Sequence, residues 1–357
     1  MKKQRVLVAM SGGVDSAVAA GLCLDAGHEV IGVTMHLWDY GDASEAAGSG
    51  RCCGPVDVRD ARAVASALGI RHYVLDFKES FRDSVVGPFV EEYRAGRTPI
   101  PCVACNRSLK FDALVRRAAE IGADLVATGH YVRRRDGRDG RPRLLRAIDR
   151  RKDQTYFLFN VPSSQIARAL FPVGELTKEE VRERARAFGL PVAHKPESQE
   201  ICFIPDGDTG AFLAREMGER TPGPGPIMDE RDHVLGEHAG IHRYTVGQRR
   251  GLGLSGGPWY VLRLDASANR VIVGPESALR RETFKVTGVH WNAGRPPRTA
   301  RVSVKIRHAH PEAEALLRFL SPDSAEVTLA APARAVAPGQ AAVFYRGDLL
   351  LGGGWIA

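Results

Sequence analysis

The stretch Ser11-Gly12-Gly13-Val14-Asp15-Ser16 has the residue types of a phosphate cradle. Gly12 and Gly13 let the backbone approach an anion closely and take positive φ angles. Ser11 and Ser16 offer hydroxyl donors. The apolar run Arg5–Met10 ahead of the loop reads as a strand, and the run after Ser16 as a helix. The helix then presents its unpaired N–H groups and the positive end of its dipole to the ligand. Asp15 would repel a phosphate on its own. It makes sense as the holder of Mg²⁺ on a leaving pyrophosphate. The loop matches neither G-x-x-x-x-G-K-[ST] nor G-x-G-x-x-G. A second segment, Ala127-Thr-Gly-His-Tyr131, ends another apolar run. There Gly129 permits close approach of a nucleotide, and His130 can contact substrate, although a lone histidine is more often structural.

The other reactive residues are the cysteines Cys23, Cys52, Cys53, Cys102, Cys105 and Cys202. Cys23 falls in a helical pattern and reads as core packing. Cys102 and Cys105 lie in Pro101-Cys-Val-Ala-Cys-Asn106, which reads as a proline-broken loop before a helix starting near Lys110. A cysteine near a helix N-terminus has a lowered pKa and is partly thiolate. Cys202 follows about 100 residues later, in Glu197-Ser-Gln-Glu-Ile-Cys-Phe-Ile204, and can meet Cys105 at a sheet edge. Three readings stay open. The pair transfers sulfur, one thiol carrying a persulfide that the other resolves. Or Cys102, Cys105 and Cys202 ligate a [4Fe-4S] cluster with one open iron site. Or the thiols are buried and inert. Zinc would need a fourth ligand, and the vicinal Cys52–Cys53 pair is an awkward source of one.

The elements that must position these groups alternate. Strands are expected at Arg5–Met10, Glu29–Met35, His72–Asp76 and Asp124–Thr128, and helices at Ser16–Ala26, Asp57–Leu68, Phe111–Ile121 and Lys178–Phe188. Thr177 with Glu180 makes a capping box, and Gly189 follows the helix end. Such alternation implies an α/β fold with a doubly wound, mostly parallel sheet and its ligand site at the carboxyl ends of the strands. Residues 133–143, rich in arginine and glycine, read as a solvated hairpin tip, with phosphate contact the alternative. After a short helical start at Asp206–Phe212, the Pro/Gly run 222–226 breaks the pattern. Short β-segments follow at Gly240–Tyr244, Trp259–Asp265 and Arg270–Val273, then a series of strands to the C-terminus. The expected domains are 1–207 (catalytic), 208–277 (small, central) and 278–357 (an antiparallel β-barrel).

The 357 residues carry a formal net charge of +8, compatible with a polyanionic partner such as nucleic acid, or with arginine-rich composition alone. No apolar run reaches the roughly 20 residues of a membrane helix. The N-terminal apolar run is too short for a signal peptide and leads into the glycine loop. No membrane association and a cytoplasmic location are therefore expected, and a disulfide scaffold is not.

With these residues in view, Ser-Gly-Gly-Val-Asp-Ser resembles the PP-loop of N-type ATP pyrophosphatases, which split ATP to AMP and pyrophosphate. The wider pattern resembles the tRNA-specific 2-thiouridylases, the MnmA family. It comprises Met10–Ala20, His36–Tyr40, Cys105–Phe111, Ala127–Tyr131, Lys152–Leu158, Glu197–Ile204, Tyr244–Gly253 and Ala341–Ile356. The resemblance covers nearly the whole chain. It implies an ATP-dependent sulfurtransferase. The C2 oxygen of the wobble uridine in a tRNA anticodon loop is adenylated, and sulfur then displaces AMP. By motif, Cys202 carries the persulfide. Cys105 is the nucleophile that releases the sulfur and forms a transient disulfide with Cys202. A cysteine desulfurase or sulfur-relay protein supplies the sulfur. ATP would be bound by Ala9, Met10, Ser11, Gly12, Gly13, Val14, Asp15, Ser16, Met35 and Gly129, with Met35 where such folds receive adenine. tRNA would be contacted by His130, Lys152, Asp153, Gln154, Arg307, His308 and Gln340. Many relatives carry an acidic residue where this chain has Cys102, which keeps the iron–sulfur reading open. Two other functions fit parts of the pattern. One is a PP-loop amide ligase of the argininosuccinate or GMP synthetase type, which would not need Cys105 and Cys202. The other is an RNA-binding protein with a vestigial nucleotide site.

Overall fold

The computed structural model describes residues 3–39, 54–197, 201–204, 206–294 and 296–357, which form two compact units. Cys52, Cys53, Tyr40, Ser198, Gln199 and Glu200 lie outside the described residues. Unit 1 comprises residues 1–85, 102–207 and 348–350; unit 2 comprises 86–101, 208–347 and 351–357.

Unit 1 is built on a five-stranded sheet. Its strands are β1 (Arg5–Ala9), β2 (Glu29–His36), β3 (Arg71–Asp76), β4 (Leu125–Thr128) and β7 (Ala169–Leu170); a hairpin of β5 (Val132–Asp136) and β6 (Pro142–Arg146) falls between the last two in sequence. The order is β3-β2-β1-β4-β7, and every pairing in it is parallel. The central strand is apolar on both faces: Val6, Leu7 and Val8 are fully buried, as a parallel sheet covered by helices requires. Helix Val14–Asp25 crosses from β1 to β2, and its alanine-rich buried face lets it lie close on the sheet. The chain then passes to opposite sides of β1, so β1 and β4 flank the switch point where such folds bind ligands. The hairpin expected at 133–143 is present, with β5 and β6 antiparallel.

Helix Lys178–Ala187 begins at the expected capping box. Thr177 Oγ1 accepts from Glu180 N at 3.2 Å, and Glu180 Oε2 accepts from Thr177 N at 2.7 Å. Helix Pro55–Ala67 has proline at its first turn, as expected where that N–H would have no partner. Two expectations are corrected. The Cys102–Cys105 stretch is not a loop: helix Pro101–Cys105 continues as a π-helical stretch Asn106–Ala113 and then as helix Leu114–Glu120. Pro101 starts the helix rather than breaking it, because proline's fixed φ suits a first helical position. Gly240–Tyr244 is not a strand: Ile241–Arg243 is a 3₁₀ turn, entered through Gly240 at φ +133°.

Unit 2 holds a four-stranded sheet of order β10-β11-β8-β9, from β8 (Gly225–Met228), β9 (Val234–His238), β10 (Tyr260–Asp265) and β11 (Arg270–Gly274). It also holds a barrel of β12 (Arg280–Trp291), β13 (Thr299–Lys305), β14 (Ala313–Ser321), β15 (Ser324–Arg334), β16 (Ala341–Arg346) and β17 (Leu349–Ile356), closed by β12–β17 pairing. Closure leaves no exposed edge. Helix Gly87–Arg94 belongs to this unit. Its Phe89 packs edge-on to Phe212 of helix Thr209–Met217, and its Glu91 pairs with Arg220 at 3.0 Å. Among the described residues no helix is long and apolar enough to cross a membrane.

Candidate active site

The loop after β1 lies at the carboxyl edge of the sheet and closes on itself. Ser16 Oγ accepts from Ser11 N at 3.1 Å, lies 3.3 Å from Ser11 Oγ, and donates to Gly13 O at 3.0 Å. Ser16 is buried, so its hydroxyl shapes the loop from within. Gly12 has φ +70°, and a Cβ there would fall 2.4 Å from the Asp57 carbonyl oxygen. At the end of β4, a Cβ on Gly129 would lie 2.6 Å from Ser16 N. Glycine is therefore needed there for strand-to-loop contact. Ala9 ends β1; Met10 and Met35 are buried, and Thr34 Oγ1 donates to Met10 O at 2.8 Å, tying the strand ends together.

Asp15, in the first turn of helix Val14–Asp25, is held on one oxygen. Its Oδ1 accepts from Tyr131 Oη at 2.7 Å and from Lys178 Nζ at 2.7 Å. Burial, then the Asp15 charge, pushes the Tyr131 phenol far above its ordinary value, so it remains a donor. The buried Lys178 ammonium also meets Glu197 Oε1 at 2.8 Å, and Glu197 Oε2 accepts from Lys152 Nζ at 2.5 Å. Burial opposes ionisation of Glu197, yet hydrogen bonds from the two lysines pull its pKa down to about 2. Tyr131, Lys178 and Glu197 are members of this charged cluster that the sequence reading missed. Their partners lie far off in sequence; only the position of Lys178 at a capped helix start, and of Tyr131 beside Gly129, hinted at them.

Asp15 is about a third exposed, and one carboxylate together with nucleotide phosphates is a usual donor set for Mg²⁺. Asp15 therefore fits as the protein's ligand to a nucleotide-borne Mg²⁺. Among the described residues no three His, Cys, Asp or Glu side chains are grouped to hold a metal. Cys102, Cys105 and Cys202 are not disulfide-bonded. Cys102 is exposed and Cys105 buried, one helical turn apart. Burial pushes the Cys23 thiol up to about 12, in keeping with a packing role.

Cys105 and Cys202 both lie in unit 1. Asn106, next to Cys105, is buried and donates from Nδ2 to Phe157 O at 3.1 Å, and Arg107 reaches Asn160 O at 3.4 Å. These bonds key the Cys105 helix to the Lys152–Asn160 segment. Cys202, half-buried, precedes Phe203 and Ile204, both fully buried. The Phe203 ring stands 5.5 Å from Phe81 and 6.2 Å from Trp38.

Two of the expected tRNA-contacting residues also make internal contacts. His130 is buried, its Nδ1 2.8 Å from Thr128 Oγ1 and its ring against Phe111 and Phe171. Burial, then the Lys110 charge, holds its pKa well below the ordinary value, so it is neutral. Asp153 is buried too: Oδ1 accepts from Ala147 N at 3.0 Å and Oδ2 from Thr155 Oγ1 at 2.6 Å. It ties a turn together. Gln154 Oε1 accepts from Tyr131 N at 2.9 Å. In unit 2, Arg307 donates to Val246 O at 3.1 Å and Ala335 O at 2.8 Å, while His308 beside it is exposed. Gln340 donates from Nε2 to Thr98 O at 2.9 Å.

Three family models match the chain: a tRNA methyl transferase HUP domain over residues 4–206, a tRNA methyl transferase PRC-barrel domain over 210–275, and an aminomethyltransferase beta-barrel domain over 281–356. The chain is 48% identical to the tRNA-specific 2-thiouridylase MnmA of Magnetococcus marinus, over 99% of each chain. It is 50% identical to that of Paramagnetospirillum magneticum, over 99% of this chain and 95% of the other. It is 49% identical to that of Solibacter usitatus, over the full length of both. Among solved structures, a 4-thiouridine synthetase–RNA complex with bound ATP is 17% identical, with a TM-score of 0.35, over 60% of this chain and 50% of the other.

Proposed function

The chain belongs to the tRNA-specific 2-thiouridylase family, MnmA, and from that premise we propose that it uses ATP to exchange the C2 oxygen of a tRNA wobble uridine for sulfur. A uracil carbonyl is a poor electrophile with no leaving group. Attack of its oxygen on the α-phosphate expels pyrophosphate and turns that oxygen into the leaving oxygen of AMP. The Ser11–Ser16 loop offers backbone N–H groups and a helix N-terminus to the phosphates. Asp15, oriented by Tyr131 and Lys178, would hold Mg²⁺, which neutralises the departing pyrophosphate when bound.

The cysteines complete the exchange. The terminal sulfur of a Cys202 persulfide adds to C2. The Cys105 thiolate attacks Cys202 Sγ, the S–S bond breaks toward the terminal sulfur, and AMP leaves with the former C2 oxygen. The products are 2-thiouridine, AMP and a Cys105–Cys202 disulfide, which an external thiol must reduce before the next cycle. A cysteine desulfurase or relay protein would recharge Cys202. The uridine must be unstacked to reach the site, as other base-modifying enzymes require. His130, Lys152, Asp153, Gln154, Arg307, His308 and Gln340 stand as the tRNA-contacting positions, with Lys152 and the exposed His308 best suited to phosphate.

The observation that carries this reading is that the phosphate loop, Cys105 and Cys202 belong to one compact unit. The test is mass analysis of tRNA nucleosides after incubation with ATP and a sulfur-charged desulfurase. The expected result is 2-thiouridine, formed with pyrophosphate release that depends on tRNA. ATP consumption without 2-thiouridine would refute it. Protein purified without oxygen is expected to be colourless, free of iron and labile sulfide, and active; iron that tracks with activity would restore the three-thiolate reading.

A further inference from the structure

Lys195 carries an unusual load for a residue that precedes the Cys202 segment. Its Nζ, on a half-buried residue, donates to Gly12 O at 3.0 Å, Asp57 Oδ1 at 2.7 Å and Asp60 Oδ2 at 2.6 Å. Asp57 is itself buried, and its Oδ2 accepts from Gly54 N at 3.2 Å. The Gly12–Gly13 peptide is trans, like every described peptide bond. In a planar trans peptide the C=O and N–H point in opposite directions. A cation that holds Gly12 O on one side therefore aims Gly13 N–H to the other. Gly13 is the N-cap of helix Val14–Asp25, the end that presents N–H groups to phosphate. The peptide needs such a tether. Gly12 sits at φ +70° between two residues without large side chains, where nothing intrinsic to glycine selects one orientation.

We propose that Lys195 is a positioning residue for ATP, which fixes the Gly12–Gly13 peptide so that the Gly13 amide faces the nucleotide phosphates. It touches no substrate; it acts through the carbonyl it holds. The same contact seats the start of the Lys195–Cys202 segment against the activating loop. This rests on the ATP-dependent reading above.

The test compares the full-length protein with Lys195→Met and with Lys195→Met/Asp57→Asn. Equilibrium binding of an ATP analogue that resists α,β-cleavage is measured beside tRNA-dependent pyrophosphate release. The expected single-variant result is an analogue affinity and an ATP KM worse by about tenfold or more, the scale of a hydrogen bond to a charged group. The kcat and the KM for tRNA should stay within about threefold. The double variant neutralises Asp57, the buried one of the two carboxylates that lose Lys195, guards against misfolding, and should remain as weak for ATP. Lys195→Arg should recover most of the affinity. An unchanged ATP KM in Lys195→Met would overturn the proposal. So would a double variant that returns to wild-type affinity, since stray charge and not peptide orientation would then be the cause. Wild-type protein that releases no pyrophosphate would refute the activity instead, and analogue binding would still judge Lys195.

Discussion

Cys202→Ser is expected to abolish 2-thiouridine formation, by at least about a thousandfold, while tRNA-dependent pyrophosphate release persists within severalfold. Serine differs from cysteine by one atom but cannot carry a persulfide. The sulfur-transfer half of the reaction loses its carrier, and the activating half loses nothing. The loop that binds phosphate is closed by Ser11, Ser16 and Gly13 and braced by Tyr131, Lys178 and Lys195, none of which touches Cys202 in the contacts described above. The segment should also keep its place. Phe203 and Ile204 supply its buried anchor, and Cys202 itself is only half-buried. Nucleoside mass analysis reads the first half and a coupled pyrophosphate assay the second. A variant that still makes 2-thiouridine would remove Cys202 from the mechanism. Loss of both activities would mean that the segment is required for ATP binding as well.

This separation of halves was legible in part before any coordinates. The phosphate loop could be read because everything it needs is local: a strand, two glycines, two serines and a helix start within a dozen residues. The parallel sheet and the Thr177 capping box were legible for the same reason. What braces the loop was not. Asp15 meets Tyr131 and Lys178, residues 116 and 163 positions away, and Gly12 meets Lys195 at a separation of 183. Such charges look like solvated surface in a linear reading, because burial and pairing are decided by tertiary packing. The internal bonds of His130 and Asp153 were equally hidden. Polar residues in a motif suggest contact with substrate, and a linear reading does not show that one also packs against aromatic rings and the other also ties a tight turn. The Cys102–Cys105 stretch misled through proline, which breaks a helix interior but suits its first turn. The membership of helix Gly87–Arg94 in unit 2 had no sequence signal, since it depends on which apolar face receives Phe89 and Tyr93.

Gly129→Ala tests whether that brace is geometric. The side chain to be added is a single methyl group, but every neighbour it would strike is backbone. The new Cβ would lie 2.6 Å from Ser16 N, 2.7 Å from Asp15 C and 2.9 Å from Ser16 Cα. None of these atoms can rotate away, so either the end of β4 or the first turn of helix Val14–Asp25 must move. Both carry the site: one leads to Tyr131, the other holds Asp15 and closes the loop through Ser16. A displacement approaching 1 Å at positioning groups costs about a hundredfold in rate, and overpacking costs roughly 1–3 kcal/mol in stability. The expected result is therefore a loss of about a hundredfold or more in kcat/KM for ATP, together with a lower melting temperature. Gly223→Ala, where no atom lies within 4 Å of the added Cβ, should change neither. If Gly129→Ala kept wild-type ATP kinetics, the register between β4 and the phosphate loop would be slack, and the site would owe its order to the charged residues alone. A loss in Gly129→Ala that survives restoration of stability, by lower temperature or added osmolyte, would place the defect in the loop's geometry, because refolding the chain does not move a methyl group out of the backbone it strikes.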